Sequence, residues 1–357
     1  MKWTFPLALL LLGACDSANP PSGTKSDPLR EEASALFAPL PERAPLAEEA
    51  TDAEIALGRM LYLDPRLSLS QGISCNSCHN IGLGGADLQQ FSIGHGWAFG
   101  GRNAPTTFNA VFHIAQFWDG RAADLAEQAA GPMANPVEMG NTHDRMITTL
   151  ASIPDYAPLF AAAYPDAAEP LSLESAKRAI AAFEATLITP GAPFDRWLSG
   201  EDGALTERQK QGLRLFIDTG CTACHSGALF GGDSYQVFGA AEQPDETILP
   251  RADKGRMAVT GDPADEYVFK VPSLRNVALT RPYFHSGAVW SLREAVQVMG
   301  KAQLGADLDD SDAGLIAEFL ESLTGQQPKI VYPALPMSTD GSVRPDPKAN
   351  LESKGGH

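Results

Sequence analysis

No long run of alternating β-branched residues occurs in this 357-residue chain, which argues against a sheet-based fold. Basic residues are few: 27 Lys and Arg stand against 44 Asp and Glu, for a formal net charge of −17. Phosphate binding needs a basic surface, so nucleic acid is not expected as a partner. An acidic surface suits solubility and a steered encounter with a basic or dipolar protein. Apolar length is short as well. The stretch from Phe5 to Leu12 is too brief to cross a bilayer as a helix. Cysteine is scarce, with five in all. What is present is a hydrophobic fraction of 44%, enough for a real core and against global disorder. The length allows two domains. Gly (33) and Pro (27) are plentiful, which fits a loop-rich chain wrapped around something other than its own side chains.

The N-terminus reads as a targeting segment. Lys2 supplies a short positive region, and Leu12-Gly13-Ala14-Cys15 resembles a lipoprotein signal box. Residues 1–14 are therefore expected to be a signal peptide, with a lipid attached to Cys15. Ordinary secretory cleavage nearby is the alternative. Asp16 follows, and in the familiar sorting pattern an Asp there favours the inner membrane. Residues 15–45, rich in Pro, Ser, Ala and charge, read as a flexible tether, and residues 336–357 as a polar tail.

The remaining four cysteines leave nothing over. They form Cys75-Asn76-Ser77-Cys78-His79 and Cys221-Thr222-Ala223-Cys224-His225. Each is a C-x-x-C-H, the attachment signature of c-type haem. Two thiols add across the two vinyl groups of one haem, and the adjacent His is delivered to one axial face of the iron. A thioredoxin-like pair or a four-Cys zinc site is the competing reading. Two matches, both followed by His, in an exported chain with no spare Cys favour two haems.

Those motifs recur 146 residues apart, Cys75 to Cys221, and a second similarity recurs at 167, Pro105 to Pro272. At that offset Phe117 faces Phe284, Gly120 faces Gly287, Leu125 faces Leu292, and Trp118 falls opposite His285. Ahead of each motif a helix is expected, with Gly58, Leu61 and Tyr62 matching Gly212, Leu215 and Phe216. Thr51 and Thr206 are its N-caps. The fold class expected is mainly α, two cytochrome c-like domains each wrapped around one haem. The N-terminal haem domain is placed at 46–200 and the C-terminal one at 201–335, divided at the turn-rich Ser199-Gly200-Glu201-Asp202-Gly203.

The second axial ligand decides what each iron does: a strong one gives electron transfer, a removable one permits chemistry. For the second haem the candidates are Met299 and Met257. A thioether stabilises ferrous iron and raises the potential. For the first haem they are His95, in a Gly-flanked loop free to swing, His113, in an apolar run, and His143, with His95 favoured. Arg121 and Arg275 are candidate propionate partners.

From about Leu46 to Pro333 the chain resembles the bacterial di-haem cytochrome c peroxidases. The matching stretches include Cys75 to Gly85, Ser92-Ile93-Gly94-His95, Arg102 to Thr106, Gln116 to Arg121, Asn135-Pro136-Val137-Glu138-Met139, Cys221 to His225 and Val271 to Gly287. The resemblance implies that His79 is the proximal ligand of a peroxidatic first haem and His95 its removable distal ligand. Glu138 is the acidic residue over that haem, and Trp118 lies between the haems on the electron path. His225 and Met299 ligate a high-potential second haem. Asn103, by its side chain, and Thr280 and Pro282, by their carbonyls, hold an inter-domain calcium, for which oxygen ligands are suited.

The activity so implied is reduction of hydrogen peroxide to water, with electrons from a small cytochrome c or a cupredoxin. The setting is the periplasm, with a lipid anchor to the membrane, and the family suggests a homodimer. Two other readings stand beside it. MauG-type relatives oxidise a partner protein and carry Tyr where Met299 stands. A non-enzymatic di-haem electron carrier would keep both irons six-coordinate in every redox state.

Overall fold

The computed structural model describes Met1 and residues 27–348 of the chain. The signal segment beyond Met1, Cys15 and residues 349–357 lie outside the described residues. Helices and short 3-10 turns make up the regular structure. The described strands are Tyr235–Val237 and Val268–Lys270, an antiparallel pair with Tyr235 opposite Lys270 and Val237 opposite Val268. No helix among the described residues is long and apolar enough to cross a membrane.

Two cores organise the chain. In the first, helix Asp52–Leu63 crosses helix Leu173–Glu184, with Leu125–Ala134, His143–Ala151 and Tyr156–Ala163 packed around them. Thr51 starts the leading helix with a capping box. Its hydroxyl accepts from the Glu54 N–H, and the Glu54 carboxylate accepts from the Thr51 N–H at 2.8 Å. Leu57 and Leu61, four apart, then share one buried face. The second core repeats the plan. Thr206 and Gln209 cap helix Glu207–Asp218, which crosses Asp310–Glu321, flanked by Leu292–Leu304. At each crossing a glycine lets the backbones touch. A Cβ on Gly58 would run into the carbonyl of Ala179, and one on Gly212 into that of Leu315.

The duplication is built into the backbone. Asn109, Phe117 and Gly120 take positive φ (62°, 67° and 67°), as do Asn276, Phe284 and Gly287 (60°, 69° and 58°). The bridge pairing Gln116 with Ala122 recurs as Tyr283 with Val289. Both left-handed asparagines reach the same group, with their amides donating to the Thr189 hydroxyl at 2.9 Å and 2.8 Å. One buried hydroxyl thus ties the halves together.

Three sequence expectations change. From Asp27 on, the segment taken for a flexible tether is ordered. Helix Pro28–Leu36 buries Ala33, and Phe37 stacks on Phe230 at 4.3 Å in the second core. Apolar side chains spaced along a polar stretch gave it a face to bury. The polar tail returns to the first half: Arg66 donates to the Pro336 carbonyl at 2.7 Å, and the Asp346 N–H to that of Leu69 at 2.9 Å. Finally, helix Pro193–Leu198 precedes the expected boundary yet buries Phe194 and Trp197 in the second core.

Candidate active site

Cys75–Cys78 forms a single helical turn at the edge of the first core. Ser74 opens it, with its N–H donating to the Ser77 hydroxyl at 3.0 Å. His79 follows. Its Nδ1 lies 2.9 Å from the Pro105 carbonyl. A carbonyl only accepts, so Nδ1 carries the hydrogen and Nε2 keeps its lone pair. Burial lowers the His79 pKa, holding the ring in the neutral form that ligates a metal. The Tyr62 hydroxyl donates to the His79 carbonyl at 2.6 Å and fixes the turn.

His95 and Glu138 come together in the same half. His95 is buried, 3% exposed, in the turn His95–Trp97, and its N–H donates to the Glu138 carbonyl at 2.7 Å. Gly140 makes room for the ring, since a Cβ there would sit 2.7 Å from the His95 Cγ. The Glu138 carboxylate accepts from the Asn135 amide at 2.9 Å. Burial raises its pKa above the usual carboxylate range, and Arg121 and the Asn135 bond oppose that rise. Burial raises the Cys78 thiol, and the charges of Asp87 and then Glu138 add to that rise.

The second site is a cavity lined by Cys221, Cys224, His225 and Met299 among mostly apolar neighbours. The His225 Nδ1 faces the Phe230 carbonyl at 2.8 Å, the same arrangement as at His79. Two such tautomer-fixing bonds, each beside a thiol pair, are what haem c attachment requires, so the residues fit that group. No acidic residue lines this cavity. Met257, on the short helix Met257–Thr260, is not among its lining residues either.

Trp118, Asn103, Thr280 and Pro282 all border the second cavity. The Trp118 indole N–H donates to the Asn103 carbonyl at 2.9 Å, and its ring meets His285 edge-on at 6.2 Å. The Asn103 amide donates to the Gln89 carbonyl at 2.8 Å. Among the described residues no group of three or more His, Cys, Asp or Glu side chains is placed to hold a metal ion. The three calcium candidates offer amide and carbonyl oxygens instead, a donor set suited to a hard cation.

Two histidine alternatives are placed elsewhere. His143 Nε2 lies 2.9 Å from the Ala130 carbonyl, and His113 borders the second cavity, 3.3 Å from Lys270. Arg275 is not a propionate partner. It is fully buried against Asp195 at 2.8 Å and donates to the carbonyls of Ala228 and Ala38. Arg121 pairs with Asp119 at 3.0 Å. Sequence reasoning missed Arg102, which joins the halves by binding Asp119 at 2.7 Å and Asp253 at 2.6 Å. It also missed the role of Tyr62, whose signal was available in the duplication, where Tyr62 stands for Phe216.

Two haem attachment sites on two cytochrome c-like halves define a di-haem cytochrome c. The family model described as di-haem cytochrome c peroxidase matches residues 52–203. The cytochrome c551 peroxidase of Pseudomonas aeruginosa is 52% identical, over 90% of this chain and 93% of that protein. That of Nitrosomonas europaea is 47% identical, over 86% and 88%. The methylamine utilization protein MauG of Methylorubrum extorquens is more distant, at 34% over 82% and 84%. A solved structure of a MauG-like protein associated with microbial copper homeostasis superposes with a TM-score of 0.70 at 28% identity, over 80% of this chain and 95% of that one. The chain belongs to the di-haem cytochrome c peroxidase family.

Proposed function

We propose that this protein reduces hydrogen peroxide to water, taking electrons from a small periplasmic redox protein through the second haem and spending them at the first. The haem held by Cys75, Cys78 and His79 supplies the redox centre when bound. His95, on its Gly-flanked turn, would help hold that haem at rest and would give way to peroxide. Glu138 would carry a proton between the two oxygens of hydrogen peroxide, and one peroxide with two protons and two electrons from the donor gives two waters. His225 and Met299 hold the second haem at high potential, and Trp118 lies on the path between the two.

The observation that carries this reading is the asymmetry of the two sites. A half-buried carboxyl with a raised pKa, hydrogen-bonded within the segment that also grips His95, accompanies the first. The second has a thioether and no acid in its lining. A carboxyl accompanying only one of the two attachment sites fits a protein that does chemistry at one and electron transfer at the other. The peroxidase relatives, at 52% and 47% identity against 34% for MauG, favour peroxide as the oxidant. Met299, rather than Tyr, favours the same branch.

Calcium bridging Asn103, Thr280 and Pro282, a lipid on Cys15, cleavage after residue 14, periplasmic location and a homodimer belong to the same proposal. Oxygen donors at the border of the two halves support the first. The sequence Leu12-Gly13-Ala14-Cys15 supports the next three. The test of the chemistry is Glu138→Gln. General acid–base help is worth roughly a hundredfold or more. The variant should keep both haem spectra and lose turnover by about that factor. Near-normal turnover would remove Glu138 from the account.

A further inference from the structure

The two helix crossings fix a residue-by-residue correspondence between the pockets. Gly58 abuts Ala179 and Phe183, and Gly212 abuts Leu315 and Phe319. Ala179 therefore corresponds to Leu315 and Phe183 to Phe319. One step on, Glu184 corresponds to Leu320, just as Tyr62 corresponds to Phe216. Leu320 and Phe216 line the second cavity. Where the second pocket presents Leu and Phe, the first presents a carboxyl and a phenol.

Glu184 is 3% exposed, and its Oε2 has no hydrogen-bond partner. Burial, and after it the Glu184 charge, raises the Cys75 thiol and the Tyr62 hydroxyl, and the Tyr62 ring packs edge-on at 5.3 Å against Phe183, the residue before Glu184. Burial pushes its own pKa up to about 8. Most other ionisable groups on the packed elements are exposed or engaged, the exception being Arg59, whose buried Nε has no hydrogen-bond partner. Glu54 binds Thr51 and Arg178, Glu127 binds the Ala123 N–H, and Lys177 pairs with Glu174. Asp52, Glu48 and Glu49 are exposed, and Arg59 is half-buried on the helix that carries Tyr62.

We propose that Glu184 is a redox-linked proton site of the first haem pocket, taking up one proton when that haem gains an electron and releasing it when the electron leaves. The balance is simple. Ferric haem with an ionised carboxylate, plus one electron from an electrode or a low-potential external reductant and one proton from solvent, becomes ferrous haem with a neutral carboxyl. One O–H bond forms and no other bond changes. Ferric iron is more positive and favours the carboxylate; its reduction removes that support in a low-dielectric pocket where an isolated charge is costly. Leu320 gives the second haem no such group. The inference rests on the haem assignment of Cys75, Cys78 and His79, and not on peroxide turnover.

The test is a spectroelectrochemical titration of the holoprotein between about pH 6 and about pH 9, following the two haems separately. In the wild type the first haem's reduction equilibrium should fall about tenfold per pH unit over part of that range, one proton per electron, and the second haem's pH dependence, with Lys270 in its pocket, should be the same in wild type and Glu184 variants. Glu184→Gln, and Glu184→Leu in imitation of the second pocket, should flatten the first. An unchanged slope in Glu184→Gln overturns the proposal. Should neither variant assemble, reduced-minus-oxidised infrared spectra of the wild type decide. A protonated-carboxyl band gained on reduction and shifted in heavy water supports the proposal, and its absence overturns it. Peroxide takes no part in these measurements. A proton-coupled first haem in a protein without peroxide turnover would sink the peroxidase reading and leave this one standing.

Discussion

Replacing Asp195 with Ala strands the Arg275 guanidinium inside the protein. Both side chains are almost wholly buried, at 5% and 0% exposure, with 2.8 Å between them. Arg275 also donates to the carbonyls of Ala228 at 2.7 Å and Ala38 at 3.1 Å. It therefore joins three pieces: the N-terminal segment, the helix Pro193–Leu198 and the loop after Cys224. Burial lowers the Arg275 pKa, and Asp195 works against that, so the carboxylate supplies the compensating charge. Removing one partner of a buried pair costs about 3–5 kcal/mol, because the other charge stays buried and unpaired. An exposed pair such as Arg196 with Glu201, at 2.9 Å, is worth no more than about 1 kcal/mol. The assay is urea unfolding of the holoprotein, with helix content and haem absorbance followed together. Asp195→Ala should lose several times more stability than Glu201→Gln, in the transition that melts the second core. Replacing both partners, as Asp195→Leu with Arg275→Met, should recover much of the loss, since well-packed apolar residues often replace such pairs at little cost. A loss below about 1 kcal/mol in Asp195→Ala would refute the reasoning.

Gly212→Ala should destabilise the second core by a few kcal/mol, about the cost of overpacking, because the new Cβ meets the Leu315 carbonyl across the helix crossing; thermal unfolding reads it, and an unchanged midpoint contradicts it. Arg121→Leu should move the acid limb of peroxide turnover to higher pH. Arg121 lowers the Glu138 pKa, so its loss raises that pKa and delays formation of the proton-accepting carboxylate; a limb that stays put or moves down counts against Glu138 as the base. Met299→Leu should lower the second haem's potential sharply, whereas Met257→Leu should leave it alone. The opposite pattern would reassign the ligand.

Much of this was legible in the residues. Two C-x-x-C-H motifs on a chain with no spare cysteine announced two haems, since few other sites need that spacing twice. Thr51 and Thr206 read as caps because each is followed by an acidic residue in the first turn, and the structure closes both as capping boxes with Glu54 and Gln209. The 167-residue offset paired Phe117 with Phe284, and the structure gives both a positive φ. Other features could not be read. Composition made residues 15–45 a tether, but composition does not say whether a single Phe finds a ring to stack on, as Phe37 does. A turn-rich stretch at 199–203 looked like a boundary, yet the packing of Trp197 decides which core owns that helix. Arg275 looked available for a propionate because its partner Asp195 lies 80 residues away. The Glu184 carboxyl was hidden for the same reason: only the helix crossing, not the linear offset, sets it opposite Leu320.

The central claim is that the two haem sites divide the work, with chemistry at the first alone. The most direct measurement is the electronic and spin-resonance spectrum of the holoprotein before and after one-electron reduction with calcium present, followed by peroxide. One haem becoming high-spin and five-coordinate, then reacting rapidly with peroxide and losing that response in His79→Ala, is the result predicted. Two haems that stay low-spin and ignore peroxide in every redox state would contradict the account and leave an electron carrier.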